Sequence, residues 1–231
     1  MPLDSAPRGL RALVPPLGRL RTASLAHRPV RRLAQLLAGL VAYGVSLALL
    51  VRADLGLDPW SVLHQGLSRH LPVTIGQATI AVGALVLLLW VPLRQRPGLG
   101  TVANVVVIGL VTDATLAVLP PVAALPARGA LLVAGVLLLG AATAAYIGAG
   151  LGAGPRDGLM TGLVARTGGS VRLVRTGIEA AVLLVGWLLG GTVGLGTVVF
   201  ALAIGPVVHA LLPLADVPRP APLAAAGPAA P

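Results

Sequence analysis

The chain has 231 residues, 56% of them hydrophobic and 10% charged, with a mean hydropathy of +0.93. A soluble domain of this length carries about 25% charged residues, so the composition excludes an ordinary globular protein and points to lipid as the solvent. Cysteine is absent, excluding disulfides and thiolate metal sites, and the +10 net charge sits on arginines flanking apolar runs, which suits membrane orientation and anionic lipid rather than nucleic acid.

In chain order, residues 1–32 hold seven arginines and five prolines but no apolar core of signal-peptide length. They read as a disordered basic leader kept in the cytosol. Six segments then approach the 20 or so residues needed to cross a ~30 Å hydrocarbon core. They fall at 33–52, 74–93, 99–119, 129–149, 171–190 and 195–214. Trp90 and Trp187 lie near span ends, where indoles favour the interface. Residues 58–70 and 154–167 are helical but too short to cross, and 215–231 form a Pro/Ala tail expected to be disordered. With the N-terminus inside, the inner face collects the leader together with Arg94, Arg96, Arg156, Arg166 and Arg172. Only Arg52, Arg69 and Arg128 remain outside. The bias toward positive charge inside therefore places both termini in the cytoplasm of a bacterial inner-membrane protein.

The chain contains its central stretch twice. Shifted by 96 positions, DLGLDPWSVLHQGL (Asp54 to Leu67) falls on GLGAGPRDGLMTGL (Gly150 to Leu163), and the GLGTV at Gly98 falls on the GLGTV at Gly194. Roughly 25 of 80 aligned pairs are identical, against about nine by chance, which marks an internal duplication. The copies are residues 33–128 and 129–214. Each holds three spans, an odd number, so the second must enter the membrane upside down. The expected fold is an all-α polytopic membrane protein of six transmembrane helices in two inverted three-helix repeats, each with a short interfacial or re-entrant helix. Inverted repeats are a recurrent plan of secondary transporters.

The duplicated motif carries the candidate chemistry. Asp58 suits an N-cap and Pro59 the first helical position. The helix after them has Trp60, Leu63 and Leu67 on one face and Ser61, His64, Gln65 and Ser68 on the other. Gly154 and Pro155 stand at the equivalent places in the second copy. Arg156 and Asp157 follow in the first turn, where the helix dipole favours a carboxylate. Such helices either lie flat in the interface or dip inward and aim free N–H groups at a polar solute. In the second case Trp60 and Arg156 are the large side chains able to gate or bind at the two ends of one pathway. In the fifth span Glu179, the only glutamate, follows Arg175 by four residues and Arg172 by seven, on one helix face. These charges read as a buried structural ion pair or as a substrate- or proton-binding pair. Asp113 and His209 are counterparts under the 96-residue shift, but inversion puts them at opposite faces. Gln77, Asn104 and Thr112 read as interhelical hydrogen-bond partners. No phosphate loop, zinc spacing or nucleophile elbow occurs, so no catalytic residue, metal or cofactor is expected and enzymes are disfavoured.

Four blocks in order, GLDPWSVLHQGL, PGLGTVANVVVIGLVTD, AGLGAGPRDGLM and VRTGIEAAVLLVGWLLGGTVGLGTVVFALAIGP, resemble the YczE-like branch of the YczE/YyaS/YitT bacterial integral membrane proteins. The resemblance covers about residues 33–212, and at Ser61 the chain departs from an acidic residue frequent in that pattern. It implies a multi-span inner-membrane protein of no settled activity. The expected function is a small-solute transporter or channel in the lipid bilayer. The alternative is a non-transporting scaffold or accessory protein for a partner complex.

Overall fold

The computed structural model describes residues 28–217, and all regular structure among them is helical. The helices are α1 Pro29–Ala53, α2 Pro59–His70, α3 Ile75–Trp90, α4 Leu99–Val118, α5 Leu125–Gly148, α6 Pro155–Thr167, α7 Val171–Leu188 and α8 Leu195–Ala215. Four of them, α1, α4, α5 and α8, are long and apolar enough to cross a membrane, and α2 with α3, joined at a 116° bend, pass the same test as a pair. Alone, α3 is too short at 16 residues, and α7 carries Arg172, Arg175 and Glu179 within its 18. By length and composition the six expected spans thus become four, or five with the bent pair. The expected leader and tail lie outside the described residues except at their inner edges. There α1 already begins at Pro29, Arg32 is fully buried, and Val217 is packed beyond the end of α8.

Local chemistry sets the helix ends. Asp58 caps α2 by accepting from Ser61 N at 3.3 Å, with Pro59 at the first helical position. Thr74 and Gln77 form a reciprocal capping box on α3. Ser170, the counterpart of Thr74, caps α7 by accepting from Leu173 N at 3.1 Å.

Contacts at the ends show that the six longer helices alternate in direction. At one end Arg128, in the first turn of α5, donates from Nε to Ala53 O at the end of α1, 2.7 Å. Arg52 of α1 donates to Leu116 O in the last turn of α4, and Gly196 N at the start of α8 donates to Leu55 O. At the other end Arg32, in the first turn of α1, donates from Nη1 to Ala149 O after α5, 2.7 Å, and Gln35 reaches Ala145 O and Ala215 O. Arg32 and Ala149 are the 96-residue counterparts of Arg128 and Ala53, taken the other way round. Helices α1 and α5 therefore cross antiparallel at the centre. Glycines let them approach: a side chain at Gly39 would strike Ala142 and Tyr146, and one at its counterpart Gly135 would strike Ser46 and Leu50.

The two copies interlock rather than standing side by side. Helix α2 packs on α7 of the other copy, and α6 on α3. Gly56 and Gly152 precede the short helices with φ of 116° and 140°, a region open to glycine alone at small cost. Each presses into the GLGT turn of the opposite copy, Gly56 on Thr197 and Gly152 on Thr101. Packed side chains fill the interior, Leu36, Leu40, Leu50 and Leu139 among them, while Leu85, Leu88, Leu110 and Leu202 face outward. An apolar exterior over a core that also holds Arg32, Asp58 and His64 suits lipid rather than water.

One correspondence fails. Helices α3 and α4 pack closely, Gly76 against Gly109 and Gly83 against Val105. Their counterparts α7 and α8 diverge, and a side chain added at Gly205, the equivalent of Gly109, would meet nothing within 4 Å.

Candidate functional site

Helices α2 and α6 have 12 and 13 residues, so each is about 18–20 Å long at 1.5 Å per residue. Their C-terminal ends lie at opposite ends of the bundle. Arg69 of α2 donates to Gly190 O beyond α7, and Arg166 of α6 donates to Pro92 O beyond α3, 3.0 Å. Their N-termini meet between. Arg156 Nη1 lies 3.4 Å from Asp58 Oδ2, and its guanidinium carbon sits 4.9 Å from the centre of the Trp60 ring. Trp60 and Arg156 are repeat counterparts, so the same position in two copies makes one cation–π contact. The two turns stand at one shared point, as expected of helices that dip inward, because each short helix runs from the middle of the bundle toward a different end.

Around this point lies a cavity of ≈160 Å³. All ten candidate residues line it: Asp58, Pro59, Trp60, His64, Gly154, Pro155, Arg156, Asp157, Arg175 and Glu179. Tyr43, Thr79, Asn104, Thr143, Tyr146 and Phe200 line it as well. Most of the wall comes in counterpart pairs, such as Thr79 with Arg175, Gly83 with Glu179, and Asn104 with Phe200. The duplication signals the lining, yet only by carrying each candidate across by 96 positions: Thr79 follows from Arg175 in that way. Tyr43 and Tyr146 had no such signal, since their counterparts are Leu139 and Leu50.

The polar groups are held firmly. Thr79 donates its one hydroxyl hydrogen to Ile75 O at 2.8 Å, so His64 Nδ1, 3.1 Å away, is the donor in the bond between them. Gln65 Oε1 accepts from Thr192 N at 2.6 Å. The face of α2 bearing Ser61, His64 and Gln65 is buried together with Trp60 and Val62, so the helix does not lie apolar face down in the interface. Tyr146 donates to Asp157 Oδ2 at 3.2 Å, and its ring meets Tyr43 edge to face with centroids 6.2 Å apart. Asp58 is 2% exposed, and among the described residues its Oδ1 has no hydrogen-bond partner.

Arg175 Nε and Glu179 Oε1 form the anticipated pair at 3.0 Å, without Arg172. The side chains are 61% and 40% exposed, so a buried pair is not what the fold builds. The reason is the divergence of α8, which leaves this face of α7 uncovered. Trp90, expected at an interface, is buried and donates to Pro155 O at 3.0 Å, with its ring occupying the space beside Gly158. Asp113 accepts from Thr74 Oγ1 at 2.5 Å and Gly76 N at 2.8 Å, and so closes α3 onto α4. Among the described residues no cluster of His, Asp and Glu suits a metal ion.

The chain is 45% identical over 177 residues to an uncharacterised protein of Haemophilus influenzae, covering 77% of this chain and 81% of that one. It is 37% identical to the uncharacterised membrane protein YczE of Bacillus subtilis, covering 76% and 83%, and 23% identical to the uncharacterised protein YyaS of the same organism, covering 77% and 90%. No solved structure matches it. The model of a family of unknown function, DUF6198, matches residues 30–213, nearly the whole helical bundle. The chain thus belongs to that family and is a membrane protein of the YczE/YyaS type.

Proposed function

We propose that the protein is a secondary transporter of a small solute in the bacterial inner membrane, built from two inverted three-helix repeats with both termini cytoplasmic. In this reading α3 and α7 complete a set of six spans, and α2 and α6 are re-entrant half-helices. The observation that carries it is the meeting of two repeat-equivalent half-helix N-termini, Asp58-Pro59 and Gly154-Pro155, on one cavity that gathers Asp58, Arg156, Asp157, Arg175 and Glu179. Half-helices that end at mid-depth in matched places of two repeats are where such transporters bind their solutes.

The unequal halves supply the access mechanism. Asp113 holds α3 and α4 shut on one side, while α7 and α8 diverge on the other beside Arg175 and Glu179. Parting α3 from α4 while α8 swings toward α7 opens the cavity to the opposite face, which is alternating access by rocking of repeats, although Arg172 and His209, standing for Gly76 and Asp113, make the second closure looser than the first.

Disulfide trapping in this cysteine-free chain tests the exchange. A Cβ built at Gly83 lies 3.5 Å from Val105 Cβ, within disulfide range. The pair Gly83→Cys/Val105→Cys should cross-link under mild oxidation. The counterpart pair Glu179→Cys/Ala201→Cys should cross-link as well, in molecules that have exchanged. Cross-linking of the first pair only, under every condition, describes a static bundle and favours the scaffold reading.

A further inference from the structure

We propose that the solute is a small organic cation bearing N–H donors, a protonated amine or a guanidinium, which takes the place of the Arg156 side chain between Asp58 and Trp60. The inference rests on the transporter reading and names its substrate class. Three features of the cavity lead to it.

The first is the unmatched atom. Asp58 is 2% exposed and lines the cavity; Oδ2 has Ser61 N at 3.3 Å and Arg156 at 3.4 Å, both long contacts, and Oδ1 has no partner among the described residues. A buried carboxylate oxygen without a donor is costly, so the group that completes this site is a donor, and best a charged one.

The second is the state of the positive groups. Half-helix N-termini ordinarily draw anions. Here each already faces a carboxylate of its own, Asp58 on the first turn of α2 and Asp157 in the first turn of α6. Arg175 is paired with Glu179, and Arg156 with Asp58. An anion entering the cavity would have to displace a carboxylate that is part of the chain.

The third is the pose of Arg156. Its guanidinium has a carboxylate on one side and an indole face on the other, the two groups that hold an organic cation. It is a tethered version of the ligand. Its side chain is 29% exposed and makes a single 3.4 Å contact, so a free guanidinium able to engage both Asp58 oxygens at once has the better geometry. Tyr43, Tyr146 and Phe200 complete the apolar wall, and ≈160 Å³ limits the ligand to a few heavy atoms beyond its charged head.

Purified full-length protein in detergent is titrated with methylguanidinium and propylammonium chlorides, and with sodium propionate and sodium phosphate at matched ionic strength. Thermal unfolding and tryptophan emission are followed. The cations should raise the unfolding midpoint and change the emission in a saturable way, and the anions should not. Asp58→Asn keeps a competent N-cap and should lose the cation response. Arg156→Ala removes the tethered competitor and should tighten apparent affinity about tenfold, the factor expected if Arg156 occupies the site nine-tenths of the time. A response to the anions alone, an unchanged response in Asp58→Asn, or no tighter binding in Arg156→Ala overturns the inference; should Asp58→Asn fail to fold, the Arg156→Ala result decides. Uptake of labelled methylguanidinium into proteoliposomes separates the two readings. Saturable binding without uptake leaves the cation site standing and defeats transport. Uptake of labelled propionate without cation binding does the reverse.

Discussion

Arg32 and Arg128 are counterparts under the 96-residue shift, in the first turns of α1 and α5, and each donates at the end of the other of these two helices, to Ala149 O and Ala53 O. A guanidinium there satisfies orphan carbonyls and meets the negative end of the helix dipole. Arg32 is fully buried and also reaches Val217 O, whereas the Arg128 side chain is 24% exposed. Arg32→Ala should therefore lower stability by about 1.5–3 kcal/mol, the range for hydrogen bonds to charged groups, and Arg128→Ala by less. Thermal unfolding of the two purified variants ranks them, and equal losses would contradict the burial argument. The Arg175–Glu179 pair gives the opposite expectation. With water filling the gap between α7 and α8, an exposed ion pair contributes roughly 0–1 kcal/mol, and Arg175→Gln and Glu179→Gln should each express and unfold like the parent. A large loss in either would mean that α8 covers this face of α7 in the membrane.

At the scale of helices, the short α2 and α6 each pack on the opposite copy as well as on their own. Gly158 faces the indole of Trp90, and Gly186 faces the backbone of Val62 and Leu63. The two contacts correspond under the repeat, Trp90 being the counterpart of Gly186 and Val62 that of Gly158, but large and small are exchanged: a large residue of α3 meets a glycine of α6, and a glycine of α7 meets α2. Substituting Gly158→Leu or Gly186→Leu should displace a half-helix and cost about 1–3 kcal/mol or more, as overpacking does. Gly205→Leu, where an added side chain meets nothing within 4 Å, should be neutral. The amount of monodisperse protein on size-exclusion chromatography compares the three.

For the whole molecule, the alternating direction of the longer helices makes a topology that labelling can read. Single cysteines at Pro97 and Gly168, both exposed, should resist an impermeant thiol reagent in intact cells, while cysteines at His70 and Ala124 should react. Labelling at Gly168 from outside would contradict the proposed inverted repeat. The interlocking of the copies also predicts one cooperative unfolding transition rather than two.

Much of this was written in the residues. The starts of the short helices follow from Asp58-Pro59 and Gly154-Pro155, because capping and proline chemistry act within a turn. The pairing of copies follows from the duplication, because equal sequences build equal turns. Membrane residence follows from composition alone. Tertiary structure decided the rest. It placed Trp60 against Arg156 and buried Trp90 beneath Pro155, since both contacts join residues 65 or more positions apart, across the packing of one copy into the other. It exposed Arg175 and Glu179 by parting α7 from α8, where Gly76, Gly83 and Asp113 of the α3–α4 closure are replaced by Arg172, Glu179 and His209. Local periodicity determines which residues share a face; what covers that face depends on contacts between helices distant in the chain, and those set the cavity.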